Sequence, residues 1–411
     1  MIELAPEDAA PQPVSPPLIS LGAGRAPESE MVRSLTEQRF RSAAESLSHT
    51  SIGGYGELVL TGVTPAPGTA RDWTADVRRV VLFVAHSFTQ DIRVYTELEL
   101  EHVTQAEIEQ AYVDWRVAGD YLGLRAGLVL IPMGIVNELH EPPVFNGVSR
   151  PTVETVIIPS TWREVGAGFF GHPTETLRYE LYAVAGLNPL GFSAAGFVGA
   201  SGAGEVSKAK AWALAGRVEY EPLLGVVLGA SGYASDIGKN GEFYLHNDTP
   251  VPLSYPVIGY SIDARLRRAG LECKMLFTEW HMPDSNALER TYVPGSNGKL
   301  APAITNGPVP TLMRGGYVEL GYDVLHPFGI SHQIVPFARF EAYDTQAGVP
   351  QGPVAGPYSN VPSPAYDIRE VTVGLSYRPI REVVVKADYM IHHPRSGPDQ
   401  TTLSFGLGFM Y

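Results

Sequence analysis

From residue 52 onward, apolar and polar positions alternate with a period of two. In 92–101, Ile92, Val94, Leu98 and Leu100 alternate with Arg93, Tyr95, Glu97, Glu99 and Glu101. In 382–391, Val383, Val385, Ala387, Tyr389 and Ile391 alternate with Glu382, Val384, Lys386 and Asp388. The pattern predicts strands at 52–63, 74–87, 92–103, 107–117, 122–132, 165–172, 177–187 and 209–220. It continues at 225–236, 257–269, 271–281, 313–325, 332–343, 368–379, 382–392 and 400–411, sixteen in all.

The connections between these strands alternate in length. Tight turns are expected at 89–91, 118–121, 173–176, 221–224, 270, 326–331 and 379–381. The intervening segments 133–164, 188–208, 237–256, 282–312 and 344–367 are long, with 104–106 as a short exception on the long side. Short turns on one side and long loops on the other are typical of bacterial outer-membrane barrels. The last strand fits: Leu403, Phe405, Leu407, Phe409 and Tyr411 share one face, and Ser404, Gly406 and Gly408 the other. A soluble β-sandwich alternates too, but the number of long strands and the aromatic ending favour an all-β, transmembrane, antiparallel up-and-down barrel of about sixteen strands.

Composition narrows this further. The longest apolar stretch, 126–136, has eleven residues and contains Pro132, well short of the ~18 needed for a spanning helix. With 30 basic and 44 acidic residues the net charge is -14, which argues against nucleic acid as a partner. A single cysteine, Cys273, excludes an intramolecular disulfide. Residues 1–51 differ from the rest: a Pro- and Ala-rich leader precedes an expected helix at 28–47 with Ser29 as its N-cap. That segment reads as a periplasmic extension, or as a plug or docking element through Arg33, Glu37, Arg39, Arg41 and Glu45. Export requires a signal peptide removed ahead of Met1.

Motifs for chemistry are sparse. Gly166, Gly168 and Gly171 satisfy GxGxxG, but an alternating strand follows where a nucleotide fold needs a helix. Neither Ser201 nor Ser231 completes GxSxG. His392 and His393 point to opposite faces of a strand end. Glu138, His140 and Glu141 are candidate acid, base or calcium ligands, or polar residues of a hydrogen-bonded loop. No nucleophile, base and orienter can be named from spacing, so the expectation is no enzyme, no cofactor and no metal.

Gly53-Gly54-Tyr55-Gly56-Glu57, then 81–88 (VLFVAHSF), resembles the start of the phosphate-selective porin O and P family. The long segment 135–164, with its Asn137-Glu138-Leu139-His140-Glu141-Pro142-Pro143 and closing Ser160-Thr161-Trp162-Arg163-Glu164, is similar to the same family. The resemblance implies a homotrimeric outer-membrane pore in contact with lipid and lipopolysaccharide. Its third extracellular loop, 133–164, would fold inward as the constriction for small hydrophilic solutes, including anions such as phosphate. Pro132, Pro142, Pro143, Pro151 and Pro159 stiffen that loop.

Alternation places ten basic and eleven acidic residues inward, a cross-linked wall rather than an anion ladder. Arg150 and Arg163 on the loop, facing Arg93, Arg116 and Arg125, are the expected positive focus. The alternative is a plugged structural barrel that anchors a partner.

Overall fold

The computed structural model describes residues 49–204, 210–245, 247–283, 285–294, 299–304, 307–351 and 361–411. The expected helix at 28–47 lies outside them. The first nine strands are β1 (Thr50–Thr64), β2 (Asp72–Ser87), β3 (Ile92–Glu101), β4 (Gln105–Ala118), β5 (Leu122–Leu130), β6 (Arg163–Thr174), β7 (Leu177–Ala185), β8 (Trp212–Leu223) and β9 (Val226–Asp236). After the short β10 (Phe243–Tyr244) and β11 (Pro250–Val251) come β12 (Pro256–Arg268) and β13 (Leu271–His281). The short β14 (Tyr292–Pro294) and β15 (Leu300–Pro302) precede β16 (Leu312–Tyr322), β17 (Gln333–Gly348), β18 (Asp367–Ile380), β19 (Val383–Pro394) and β20 (Gln400–Met410).

The sixteen long strands form one closed antiparallel barrel. Its seam joins β1 to β20 from Tyr55 opposite Met410 to Thr64 opposite Thr401. Closure pairs the backbone of every wall strand on both sides, which a hydrocarbon environment demands. Among the described residues no helix is long and apolar enough to cross a membrane. The outward face carries Leu58, Leu60, Leu98, Leu100, Val373, Leu375, Phe405 and Leu407, all exposed. A continuous apolar band of that kind belongs in lipid.

Two features departed from the alternation. The four short strands pair into a separate sheet, β11-β10-β14-β15, within the connections at the long-loop end. Two- and three-residue strands are too brief to show a period. The inner wall is also not uniformly polar. Towards the long-loop end Tyr182, Val184, Ala215, Tyr233, Leu276, Trp280 and Met313 face inward and are buried in a single apolar cluster with loop residues. The GxGxxG glycines lie on β6, where side chains at Gly166 and Gly168 would collide with Val184 and Tyr182 of β7.

Candidate functional site

The segment 131–162 between β5 and β6 lies inside the barrel; most of it is buried and none of it is exposed. Its roots are stapled by Asn137. The Asn137 amide donates to the carbonyls of Ile131 (2.6 Å) and Trp162 (3.0 Å), while its Oδ1 accepts from the Trp162 N–H (2.7 Å). Glu154 holds the next turn by accepting from the N–H groups of Ile135 (2.6 Å) and Val136 (2.7 Å). The Tyr317 hydroxyl donates to its other oxygen at 2.6 Å. Burial raises the Glu154 carboxyl above its ordinary range, against the pull of these hydrogen bonds. Gly134, at φ +72°, makes the turn; a side chain there would run into Glu154.

The middle of the loop is bonded to the far wall. Asn146 donates to Glu272 (3.0 Å, β13) and Glu319 (3.2 Å, β16) and accepts from Arg378 (2.9 Å, β18). Lys274, Arg378 and Lys386 donate to the carbonyls of Val144 (3.0 Å), Pro143 (3.2 Å) and Gly147 (2.8 Å). The Val148 and Val153 N–H groups donate to Asp388 (2.6 Å) and Glu341 (3.0 Å). On the near wall, Glu138 pairs with Arg178 (3.6 Å) and Arg217 (3.7 Å), and His140 with Glu109 of β4 (3.1 Å). Contacts to β7 on one side and to β19 on the facing side of the ring mean that the loop crosses the lumen.

Below the apolar zone runs a belt of paired charges. Arg339 bridges Glu319 (3.3 Å) and Glu341 (2.7 Å); Arg217 bridges Glu219 (2.9 Å) and Asp263 (2.7 Å); Arg265 also reaches Glu219. Above it, Trp162 of the loop root packs on Phe197, Tyr233 and Trp280 with ring centroids 5.0 to 5.9 Å apart. Such a dry aromatic cluster resists hydration of that end of the lumen.

The residues singled out from sequence are distributed as follows. Arg93 and Arg125 come together on Asp114, at 3.2 and 2.7 Å, and Arg125 lies over the Tyr112 ring at 4.1 Å. Arg116 pairs with Asp120 in the short turn after β4 (3.6 Å). Arg163, at the start of β6, pairs with Glu107, and Arg150 donates to the His140 carbonyl (3.5 Å). Burial, with Arg79 nearby, lowers Arg150 to about 10. For His140 burial favours the neutral ring, but the Glu109 carboxylate outweighs it and pushes the imidazole up to about 9. Glu141 is buried in the same stretch. His392 and His393 take separate carboxylates, Glu370 and Asp399.

Parity along their strands directs Lys274, Arg378 and Lys386 inward but does not bring them together. Their convergence on loop carbonyls depends on where the loop lies. Glu109 carried no signal, and Asn146 none beyond its place in the loop run Phe145-Asn146-Gly147-Val148 that resembles the porin family.

No family model matches the chain. An uncharacterized protein of Aquifex aeolicus (strain VF5) is 29% identical over 381 residues, covering 88% of this chain and 80% of its own. Among solved structures, the outer membrane channel DcaP of Acinetobacter baumannii superposes with a TM-score of 0.54 at 10% identity, covering 88% of this chain and 97% of its own. The anion-selective porin from Comamonas acidovorans gives 0.52 at 10% identity, with 88% and 99% coverage. OprB of Pseudomonas putida gives 0.52 at 8% identity, with 92% and 96% coverage. At these identities the likeness is one of fold: a sixteen-stranded barrel of the outer-membrane porin type.

Proposed function

We propose that the chain is a passive outer-membrane porin for small hydrophilic solutes, with loop 131–162 setting a narrow passage and no chemistry performed. The observation that carries this reading is the belt of charged side chains on the inner wall of a porin-type barrel. A barrel serving only as an anchor has no need of so many lumenal charges. Small anions, phosphate among them, are the favoured solutes. Support comes from the loop motif's resemblance to the phosphate-selective porins, and from basic groups on both sides of the loop: Arg93 and Arg125 sharing one Asp114, and Lys274, Arg378 and Lys386 around residues 143–147. A homotrimer in the outer membrane, exported with a leader, accompanies this proposal.

A second reading, a plugged barrel that anchors a partner, is favoured by one observation: the loop is bonded to opposite walls. The reversal potential of the purified protein in a planar bilayer under a tenfold KCl gradient separates them. Small, steady conductance with anion preference is expected. Cation preference would keep the pore and remove phosphate; no conductance would leave the plugged barrel.

A further inference from the structure

We propose that Glu97, Glu109 and His140 bind one divalent transition-metal ion, typified by Zn2+, which clamps loop 131–162 to the barrel wall. One ligand atom from each residue lies within 4.8 Å of the other two, and all three residues are buried. The site depends on a β-bulge. Strands β3 and β4 pair Glu97 with Gln110 and Leu98 with Ile108, so Glu109 is the extra residue. Simple alternation cannot turn both Glu109 and Tyr112 inward, since they differ in parity. The bulge does so, re-aiming Glu109 toward the loop.

The surroundings of the three side chains suit a metal better than a plain ion pair. His140 Nδ1 faces the Asn137 carbonyl at 3.0 Å, a group that only accepts, so Nδ1 carries the hydrogen and Nε2 is turned to the carboxylates. One oxygen of each carboxylate is held from behind. The Tyr55 hydroxyl donates to Glu109 Oε2 (3.2 Å), and the Tyr95 hydroxyl (3.0 Å) and Gln110 amide (2.6 Å) donate to Glu97 Oε2. Glu109 Oε1 is fully buried, and the group facing it is His140 Nε2 at 3.1 Å.

Charge points the same way. Glu57, Glu97, Glu99, Glu109 and Glu141 gather here against Arg78, Arg79, Arg150 and His140. Arg79 is already committed to Glu57 (3.6 Å) and Glu99 (3.3 Å). A divalent ion that displaces the Nε2 proton offsets the remaining negative charge. One imidazole with two carboxylates is a donor set for Zn2+ and its neighbours, whereas Ca2+ and Mg2+ take oxygen alone. Zinc bonds of about 2.1 Å set tetrahedral donors roughly 3.4 Å apart, so small side-chain rotations complete the site.

The test is independent of conduction. Whole protein in detergent, stripped with chelator, is titrated with Co2+ and followed by its visible d–d absorption, then challenged with Zn2+. One Co2+ per chain, displaced by Zn2+, is expected. Glu97→Gln and Glu109→Gln, each shown folded by heat-modifiable migration, should weaken binding at least tenfold, and Tyr55→Phe about tenfold through loss of the supporting hydroxyl. Absence of binding, or binding unchanged in both glutamine variants, overturns the proposal.

Discussion

Gly408, on the inner face of the closing strand, backs onto Pro142 of the lumenal loop so closely that a Cβ on the glycine would overlap the proline's own Cβ. Its neighbour Gly406 meets Val148 in the same way, at 3.2 Å from an added Cβ. The small residues of the last strand are therefore a seat for the loop. Gly408→Leu should push the loop off this wall at a cost of about 1–3 kcal/mol, leaving the barrel ladder intact. Expected readouts are retained heat-modifiable migration and faster protease cleavage within 131–162. Cleavage at the wild-type rate would contradict the seat.

Asn146 satisfies two carboxylates and a guanidinium at once. Asn146→Leu leaves Glu272, Glu319 and Arg378 short of partners in a buried setting, which costs about 2–4 kcal/mol of loop docking. Hydrogen exchange of the Val148 and Val153 amides, whose N–H groups are tied to Asp388 and Glu341, should accelerate together.

Asp114 pairs with both Arg93 and Arg125. Asp114→Asn preserves the shape and leaves one more uncompensated positive charge in the lumen. The reversal potential of the variant should move toward anions relative to the parent, most clearly at low salt, where screening is weak. A shift toward cations would show that these arginines do not face the conducting path.

In the connection between β13 and β16, the buried Glu289 accepts from the Val309 N–H at 2.5 Å. Burial raises its carboxyl from 4.5 to about 7, the amide bond pulling the other way. The folded loop therefore holds more protons than the unfolded one between these values, so its stability falls as pH rises through that window. Protection of the Val309 amide should be greatest below about pH 4.5 and decline toward pH 7. Glu289→Gln should flatten the profile.

The period-two alternation was enough to place sixteen strands, because which way a side chain points in a strand depends only on its parity. For β3, β13 and β19 the pattern gave the start or end to within a residue or two. The turn-and-loop asymmetry and the inward set including Glu97, Asp114, Arg217 and Lys386 were legible for the same reason. Parity fails where a bulge intervenes, so Glu109 was hidden, and where strands are two or three residues long, as in β10 and β11. It is also silent on residues without a period. That the loop reaches the far wall, that Asn146 meets three wall strands and that Trp162 packs against Trp280 are contacts between segments a hundred or more residues apart. Local chemistry thus determined the wall and its two faces; what fills the barrel was decided by packing of the closed tertiary structure, where only the loop's shape against the far wall selects its partners.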